Sequence, residues 1–244
     1  VIMIQVKDIK KRFGGVEAIK GSHFVIPEKS ITALIGPNGA GKTTLFDIIT
    51  GFITPDQGNI FFEGHDITKK HPFEIANMGV SRTFQQVRLF KYLTLLEHLR
   101  MVEDNEDIKI IRNLWKREKV DRRQYEDILE KFGIERDLDA LASELSYGQR
   151  KLLDLAMAVR KPHKILLLDE PVAGVNAVVQ ERIEDLLLKM KEEGETILLI
   201  DHDMRFVRKL ADYVIALDAG VVLVEGTPEK VLADKRVLEA YLGE

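Results

Sequence analysis

Apolar and polar residues alternate over residues 2–10, with Ile2, Ile4 and Val6 set against Gln5 and Lys7, the period of two expected of a half-buried strand. The segments Gly21 to Pro27 and Gly58 to Gly64 read as further strands, the second lying between two glycine stops after the turn Thr54-Pro55-Asp56-Gln57. Lys11-Arg12-Phe13-Gly14-Gly15 reads as a turn carrying one aromatic ring. Three other runs are predominantly apolar: Ile31 to Ile35, Ile165 to Leu168, and Thr196 to Ile200 after its first residue. Such runs suit strands buried on both faces. Val80 to Gln85 is predicted as a short strand ending in Thr83-Phe84-Gln85, and Tyr213 to Leu217 and Val221 to Val224 as strands around Asp218-Ala219-Gly220.

Helical spacing dominates elsewhere. From Leu93 to about Phe132 the pattern is helical and heavily charged, and Glu103 to Arg123 reads as a solvated helical face or connector carrying Trp115. Ser143-Glu144-Leu145-Ser146 opens a helix with Leu152, Leu155, Ala156 and Val159 on one face. Further helices are predicted from about Asn176 to Glu193 and from Val231 to Leu242. Apolar strands followed by helices imply an α/β fold with a mainly parallel sheet covered on both faces. A helical lobe at about residues 87–160 is expected as an insertion, with residues 1–86 and 161–244 forming the core of a single domain.

Composition narrows the function. Lys and Arg total 36 against 40 Asp and Glu, a formal charge of −4, which gives no support to nucleic-acid binding. The chain has no cysteine, so disulfides, thiolate metal sites and cysteine nucleophiles are excluded. No run reaches the roughly 18 apolar residues of a membrane span, and Lys7, Lys10, Lys11 and Arg12 interrupt any leader pattern. A soluble, cytoplasmic protein is expected.

The candidate chemistry starts at Gly36-Pro37-Asn38-Gly39-Ala40-Gly41-Lys42-Thr43, followed by Thr44. This matches the phosphate-loop pattern G-x-x-x-x-G-K-[ST], and it lies between a buried strand and a helix, as the motif requires. The glycines let successive N–H groups face a phosphate, and the helix adds the positive end of its dipole. Lys42 is placed to reach the β- and γ-phosphates, and the Thr43 hydroxyl to ligate Mg²⁺. In a parallel sheet, ligands bind beyond the carboxyl ends of the strands. Two more strands end there in polar groups, at Asp169-Glu170 and Asp201-His202. Asp169 would hold Mg²⁺ and Glu170 would polarise the attacking water. His202 would contact the γ-phosphate or orient that water. Gln85 would reach Mg²⁺ or the water, with Gln86 as the competing register, and Phe13 is a candidate to stack on adenine. Leu145-Ser146-Tyr147-Gly148-Gln149, taken alone, is a helix start capped by Ser146.

In this order, the phosphate loop, Gln85, the LSYGQ stretch, the acidic strand end and the strand-end histidine resemble the nucleotide-binding subunit of an ABC transporter over essentially the whole chain. Arg82-Thr83-Phe84-Gln85, Val87-Arg88-Leu89-Phe90, Leu145-Ser146-Tyr147-Gly148 and Ala240-Tyr241-Leu242-Gly243-Glu244 resemble the G-type ATP-binding subunit of branched-chain amino acid importers. The resemblance implies a P-loop NTPase core with an antiparallel N-terminal β subdomain and an inserted helical subdomain, with ATP and Mg²⁺ as ligands. It also implies a head-to-tail pair of ATP-binding subunits, two copies or this chain and a sister. In that pair Ser146, Gly148 and Gln149 face ATP held by the partner's phosphate loop. Integral membrane permease subunits would dock near Val87 to Tyr92, on the cytoplasmic face of the membrane, and a periplasmic or extracellular solute-binding protein would act through them. The related alternatives are lipid or lipopolysaccharide export, urea or amide import, and a soluble ABC ATPase. The chain departs from the family pattern at Tyr147, where LSGGQ has glycine, and at Asn176, where the wider family has aspartate.

Overall fold

The computed structural model describes residues 1–102 and 121–242 of the 244. Trp115, most of the predicted charged helical stretch Glu103 to Arg123, and the terminal Gly243-Glu244 lie outside the described residues. The described chain divides into two compact units. The first comprises residues 1–82, 163–171 and 187–244, and the second residues 83–162 and 172–186. The stretch 172–186 therefore groups with the second unit, whereas the division read from sequence leaves it with the core.

Two sheets build the first unit. Strands β1 (Ile2–Phe13), β2 (Val16–Pro27), β4 (Gln57–Phe62) and β5 (His65–Asp66) form an antiparallel sheet in the order β2-β1-β4-β5. The alternation read in the sequence holds for Ile4 and Val6, which turn inward into a core with Phe24, Phe46 and Phe62, whereas Ile2 is exposed and, across register shifts in the strand, Met3 and Ile9 are buried as well. The second sheet has the order β10-β9-β3-β8-β7-β6 among the described residues. It consists of β3 (Ile31–Ile35), β6 (Val80–Arg82), β7 (Ile165–Asp169), β8 (Ile197–Ile200), β9 (Tyr213–Asp218) and β10 (Val221–Gly226). Neighbouring strands run parallel except at β9–β10. All residues of β3, β7 and β8 are buried, as befits central strands with both faces covered. Helix α1 (Lys42–Ile49) follows β3 and buries Leu45, Phe46, Ile48 and Ile49.

In the second unit, α3 (Leu95–Met101), α4 (Arg123–Phe132) and α5 (Tyr147–Arg160) pack together, and α6 (Ala177–Glu192) begins there and ends in the first unit. A short helix α2 (Pro72–Asn77), the strand β5 and a helix α7 (Met204–Leu210) were not legible as elements in the sequence.

Several expectations are corrected. The first strand continues to Phe13, which pairs with Val16 across a two-residue turn at Gly14-Gly15, so the ring stands on a strand end. The strand expected over Val80 to Gln85 stops at Arg82, and Gln85 lies in a bend. As an edge strand, β6 pairs among the described residues with β7 alone, and that ladder ends at Arg82 opposite Leu167. The lead-in Ala142–Glu144 is one turn of 3₁₀ helix, and the helix proper starts after Ser146. The final helix is two, α8 (Pro228–Leu232) and α9 (Lys235–Leu242). Asp234 interrupts it: its Oδ1 accepts from the Arg236 N–H two residues on at 2.9 Å, the local side-chain bond that competes with helix continuation.

Candidate functional site

The site in the first unit is organised by strand register. β3 pairs with β8 at Leu34–Ile200 and β8 with β7 at Ile200–Asp169, so the phosphate loop, Asp169-Glu170 and Asp201-His202 all leave the sheet at one edge. The loop closes on itself through Ala40 N–H to Pro37 O at 3.2 Å and is held from outside by Gly220 N–H to Ala40 O at 3.0 Å. The Lys42 ammonium folds back over it and donates to Gly36 O at 2.6 Å and Pro37 O at 2.8 Å. Neutral carbonyls therefore hold this cation, and an anionic phosphate oxygen would be a stronger acceptor. Thr43 is exposed at the first turn of α1.

Asp169 is 3% exposed, and burial pushes its carboxyl upward while the Arg82 guanidinium opposes that shift. Arg82 is itself buried between the rings of Phe46 and Phe52. It donates to Asp47 Oδ1 at 2.7 Å, Thr50 Oγ1 at 2.9 Å and Asp169 Oδ2 at 3.5 Å. It thus ties α1 to the acidic end of β7.

Glu170 has a left-handed backbone, φ 49°, kept in place by its N–H donating to Ile200 O at 2.9 Å. Strain of this kind persists only where the surroundings over-determine it, which happens often at functional sites. Its carboxylate lies 3.9 Å from His202 Nδ1. His202 is exposed, and its backbone is fixed by Asp201, whose Oδ1 accepts from His202 N–H at 2.8 Å and Asp203 N–H at 2.9 Å. Burial pushes the Asp201 carboxyl upward as well. On the antiparallel sheet of the same unit, Phe13 exposes 46% of its surface, with Lys11 Nζ 5.5 Å from the ring centre.

The remaining predicted residues belong to the second unit. Ser146 caps α5: its Oγ accepts from Gln149 N–H at 3.3 Å while Gln149 Oε1 accepts from Ser146 N–H at 3.1 Å. This reciprocal capping box leaves the helix start exposed and fixed. Gly148 packs so closely that a Cβ there would stand 2.8 Å from Val179 Cγ2 of α6. Tyr147 reaches the loop before α6, donating to Ala173 O at 3.5 Å. Asn176 accepts from Val179 N–H at 3.0 Å, capping α6 in a role that suits Asn and Asp equally.

Gln85 and Gln86 are both exposed, and the Gln85 carbonyl accepts from Lys151 Nζ at 3.2 Å. Lys151 is 5% exposed on α5, so the signature helix and the glutamine loop are joined by a buried cation. The stretch Val87 to Tyr92 beside it exposes Phe90 and Tyr92, and Phe90 N–H donates to Nε2 of the fully buried His98 at 3.0 Å. Because Nε2 accepts, His98 Nδ1 carries the proton toward Thr94 O, 2.8 Å away. A pocket of about 310 Å³ lined by Val87, Leu89, Lys91 and Arg150 opens at this stretch. A larger concavity of about 840 Å³ lies between α4 and α6 and includes none of the predicted residues.

Sequence reasoning missed Arg82, Asp47, Lys151 and His98 as supporting residues. Arg82 had a signal, since a charge within a predicted buried strand needs a partner.

The strand-edge loop, the acidic strand end and the capped signature define a nucleotide-binding cassette. A family model described as ABC transporter matches residues 19–173, so the chain belongs to that family; it binds ATP and is the ATP-hydrolysing subunit of a transporter. A second model, described as branched-chain amino acid ATP-binding cassette transporter, matches residues 221–244. The high-affinity branched-chain amino acid transport ATP-binding protein BraF of Pseudomonas aeruginosa is 36% identical over 99% of this chain and 98% of its own length. The probable branched-chain amino acid transport ATP-binding protein LivG of Archaeoglobus fulgidus is 36% identical over 99% and 95%. Among solved structures, a nucleotide-free ATP-binding cassette from an ABC transporter aligns over the whole of both chains, with a TM-score of 0.85 and 33% identity. The ADP conformation of MJ1267, an ATP-binding cassette of an ABC transporter, aligns equally completely with a TM-score of 0.85 and 32% identity.

Proposed function

We propose that this subunit powers an importer of branched-chain or related amino acids from the cytoplasmic face of the membrane. The observation that carries the substrate class is the match of residues 221–244 to the branched-chain model, joined to full-length similarity with BraF and LivG. Among the described residues no helix is long and apolar enough to cross a membrane. As in the transporters whose ATP-binding subunits it resembles, permease subunits would carry the path for the solute, and an external solute-binding protein would select the cargo.

The residue roles follow the geometry of the strand edge. The loop from Gly36 to Thr44 would hold the phosphates, with Lys42 exchanging its carbonyl partners for β- and γ-oxygens. Phe13, exposed on its strand end, would stack on adenine. The Thr43 hydroxyl and the Asp169 carboxylate make an all-oxygen donor set, the chemistry that suits Mg²⁺ completed by phosphate oxygens. When bound there, the ion would supply charge neutralisation between the phosphates. Gln85 would join this shell or orient water. Glu170 would accept a proton from the attacking water, and His202 would orient water and γ-phosphate from the neighbouring strand end. Ser146, Gly148 and Gln149, at an exposed helix N-terminus, would meet ATP held by a second ATP-binding subunit, a copy or a sister chain. Val87 to Tyr92 would receive the permease.

A tagged chain recovered from detergent-solubilised native membranes tests the reading. Two integral membrane subunits, identified by mass, should co-purify, and the binding protein that engages them should retain leucine, isoleucine or valine. Recovery of soluble partners or nucleic acid alone would sink the transport assignment. In parallel, Glu170→Gln should retain MgATP and shift light scattering toward a dimer, while a strict monomer at high protein concentration would rule out pairing of identical chains.

A further inference from the structure

The C-terminal helix ends on the phosphate loop. Gly36 N–H, one residue beyond the β3 ladder, donates to Tyr241 Oη at 2.6 Å. The two residues are 205 positions apart in sequence. Gly36 has no room for a side chain: a Cβ there would stand 2.0 Å from Leu217 O, and its φ of 152° is one that side chains rarely adopt. The same end of the chain also grips the loop's other side, through Gly220 N–H to Ala40 O. Gly220 O in turn accepts from Lys20 N–H at 2.9 Å and Ser22 Oγ at 3.1 Å, so this grip is braced against β2. Helix α9 is seated by Val237, which is 3% exposed, and packs on α8 and β10.

We propose that Tyr241 is a positioning residue for nucleotide binding, fixing the entry of the phosphate loop through Gly36 N–H. A partly buried N–H without an acceptor is costly, so the conformation in which it has one is selected. The N–H groups that follow in the loop inherit their direction from Gly36, and so does the pair of carbonyls, Gly36 O and Pro37 O, that holds the Lys42 ammonium. Residues 217–241 thereby act as a clamp on the loop, with Leu217 and Tyr241 at its entry and Gly220 at its exit. The hydroxyl touches the loop's backbone and acts through it. The proposal deepens the nucleotide-binding reading and rests on it.

The test compares Tyr241→Phe, which removes the hydroxyl and keeps the ring, with Val237→Ala, which loosens the same helix and leaves the hydroxyl. Binding of ADP and the kcat and KM for ATP are measured on the full chain, together with hydrogen exchange over residues 36–41. Tyr241→Phe should raise the Kd for ADP and the KM for ATP roughly fivefold while kcat at saturation changes less than about twofold. Exchange of the loop amides should rise with no change in β1 and β2. Val237→Ala should lower the thermal midpoint with both constants near those of the parent. The proposal is overturned if Tyr241→Phe leaves Kd and loop exchange unchanged, or if Val237→Ala reproduces the full KM effect. A parent chain that bound no nucleotide would instead overturn the underlying functional reading before either variant was made.

Discussion

In the first unit the phosphate loop leaves a strand buried along its whole length and paired on both sides, whereas the signature stretch of the second unit sits at a helix start held by side chains. The strand-edge residues Asp169, Asp201 and Gly36 inherit their positions from backbone ladders. Ser146, Gly148 and Gln85 depend on a capping box, one close glycine contact and one buried lysine. A ladder fixes many groups cooperatively, while each cap or side-chain bond contributes about 1 kcal/mol. The lesson is a division of labour. The strand-edge groups are held by the sheet, and the second unit's candidate residues by local caps and side-chain bonds, a support that opens at lower free-energy cost.

That contrast can be broken most severely at its two ends. Lys42→Ala should reduce ATP hydrolysis about a hundredfold or more together with nucleotide affinity, because the phosphate loop loses its cation. Ser146→Arg should reduce hydrolysis to a similar extent with nucleotide affinity of the isolated subunit unchanged. Equal loss of binding in both variants, measured by titration with ADP, would contradict the division between the units. Next in size is Arg82→Met, which leaves the buried Asp169 and its neighbour Asp47 without their shared cation. Breaking a buried charge network in this way should cost about 3 kcal/mol, read as a lower urea midpoint at unchanged slope. A loss below about 1 kcal/mol would show that the guanidinium is not a structural tie.

Gly148→Ala sharpens the comparison on the other side. Alanine ordinarily stabilises a helix over glycine by about 1 kcal/mol. Here the new Cβ would meet Val179 Cγ2 at 2.8 Å, so the sign should reverse, with a loss of about 1–3 kcal/mol. Adding Val179→Ala should recover most of it.

The smallest effect concerns Asp154 on the signature helix, whose carboxyl is pushed up to about 6 by burial, with Lys151 pulling the other way. The folded state therefore holds this proton more tightly than the unfolded chain. Its stabilising contribution is complete below the ordinary carboxyl range and is lost as pH rises through about 6. Asp154→Asn should accordingly be more stable than the parent by roughly 1–2 kcal/mol at pH 8. The gap should narrow as pH falls below about 6 and close below the ordinary carboxyl value of 3.8, and a gap independent of pH would remove burial as its cause.

The features legible in the sequence are those whose cause is local. The phosphate loop is eight adjacent residues between a strand and a helix, and the apolar runs ending in Asp169 and Asp201 announce central strands by composition. The same reasoning misjudged the strand before Gln85, because Thr83 and Phe84 have strand-forming character while the edge ladder ends at Arg82. It merged α8 and α9 because apolar spacing continues across Asp234, whose side chain captures the backbone locally.

By itself the sequence determined the loop, the signature, the acidic strand ends and the exclusion of thiol chemistry, since each rests on residue type and short spacing. Only the tertiary structure decided that Arg82 joins Asp47 to Asp169, that Lys151 holds Gln85 across 66 residues and that Tyr241 meets Gly36. Those pairings arise because burial forces each polar group to find a partner, and which partner lies within reach depends on how distant segments are brought together by packing.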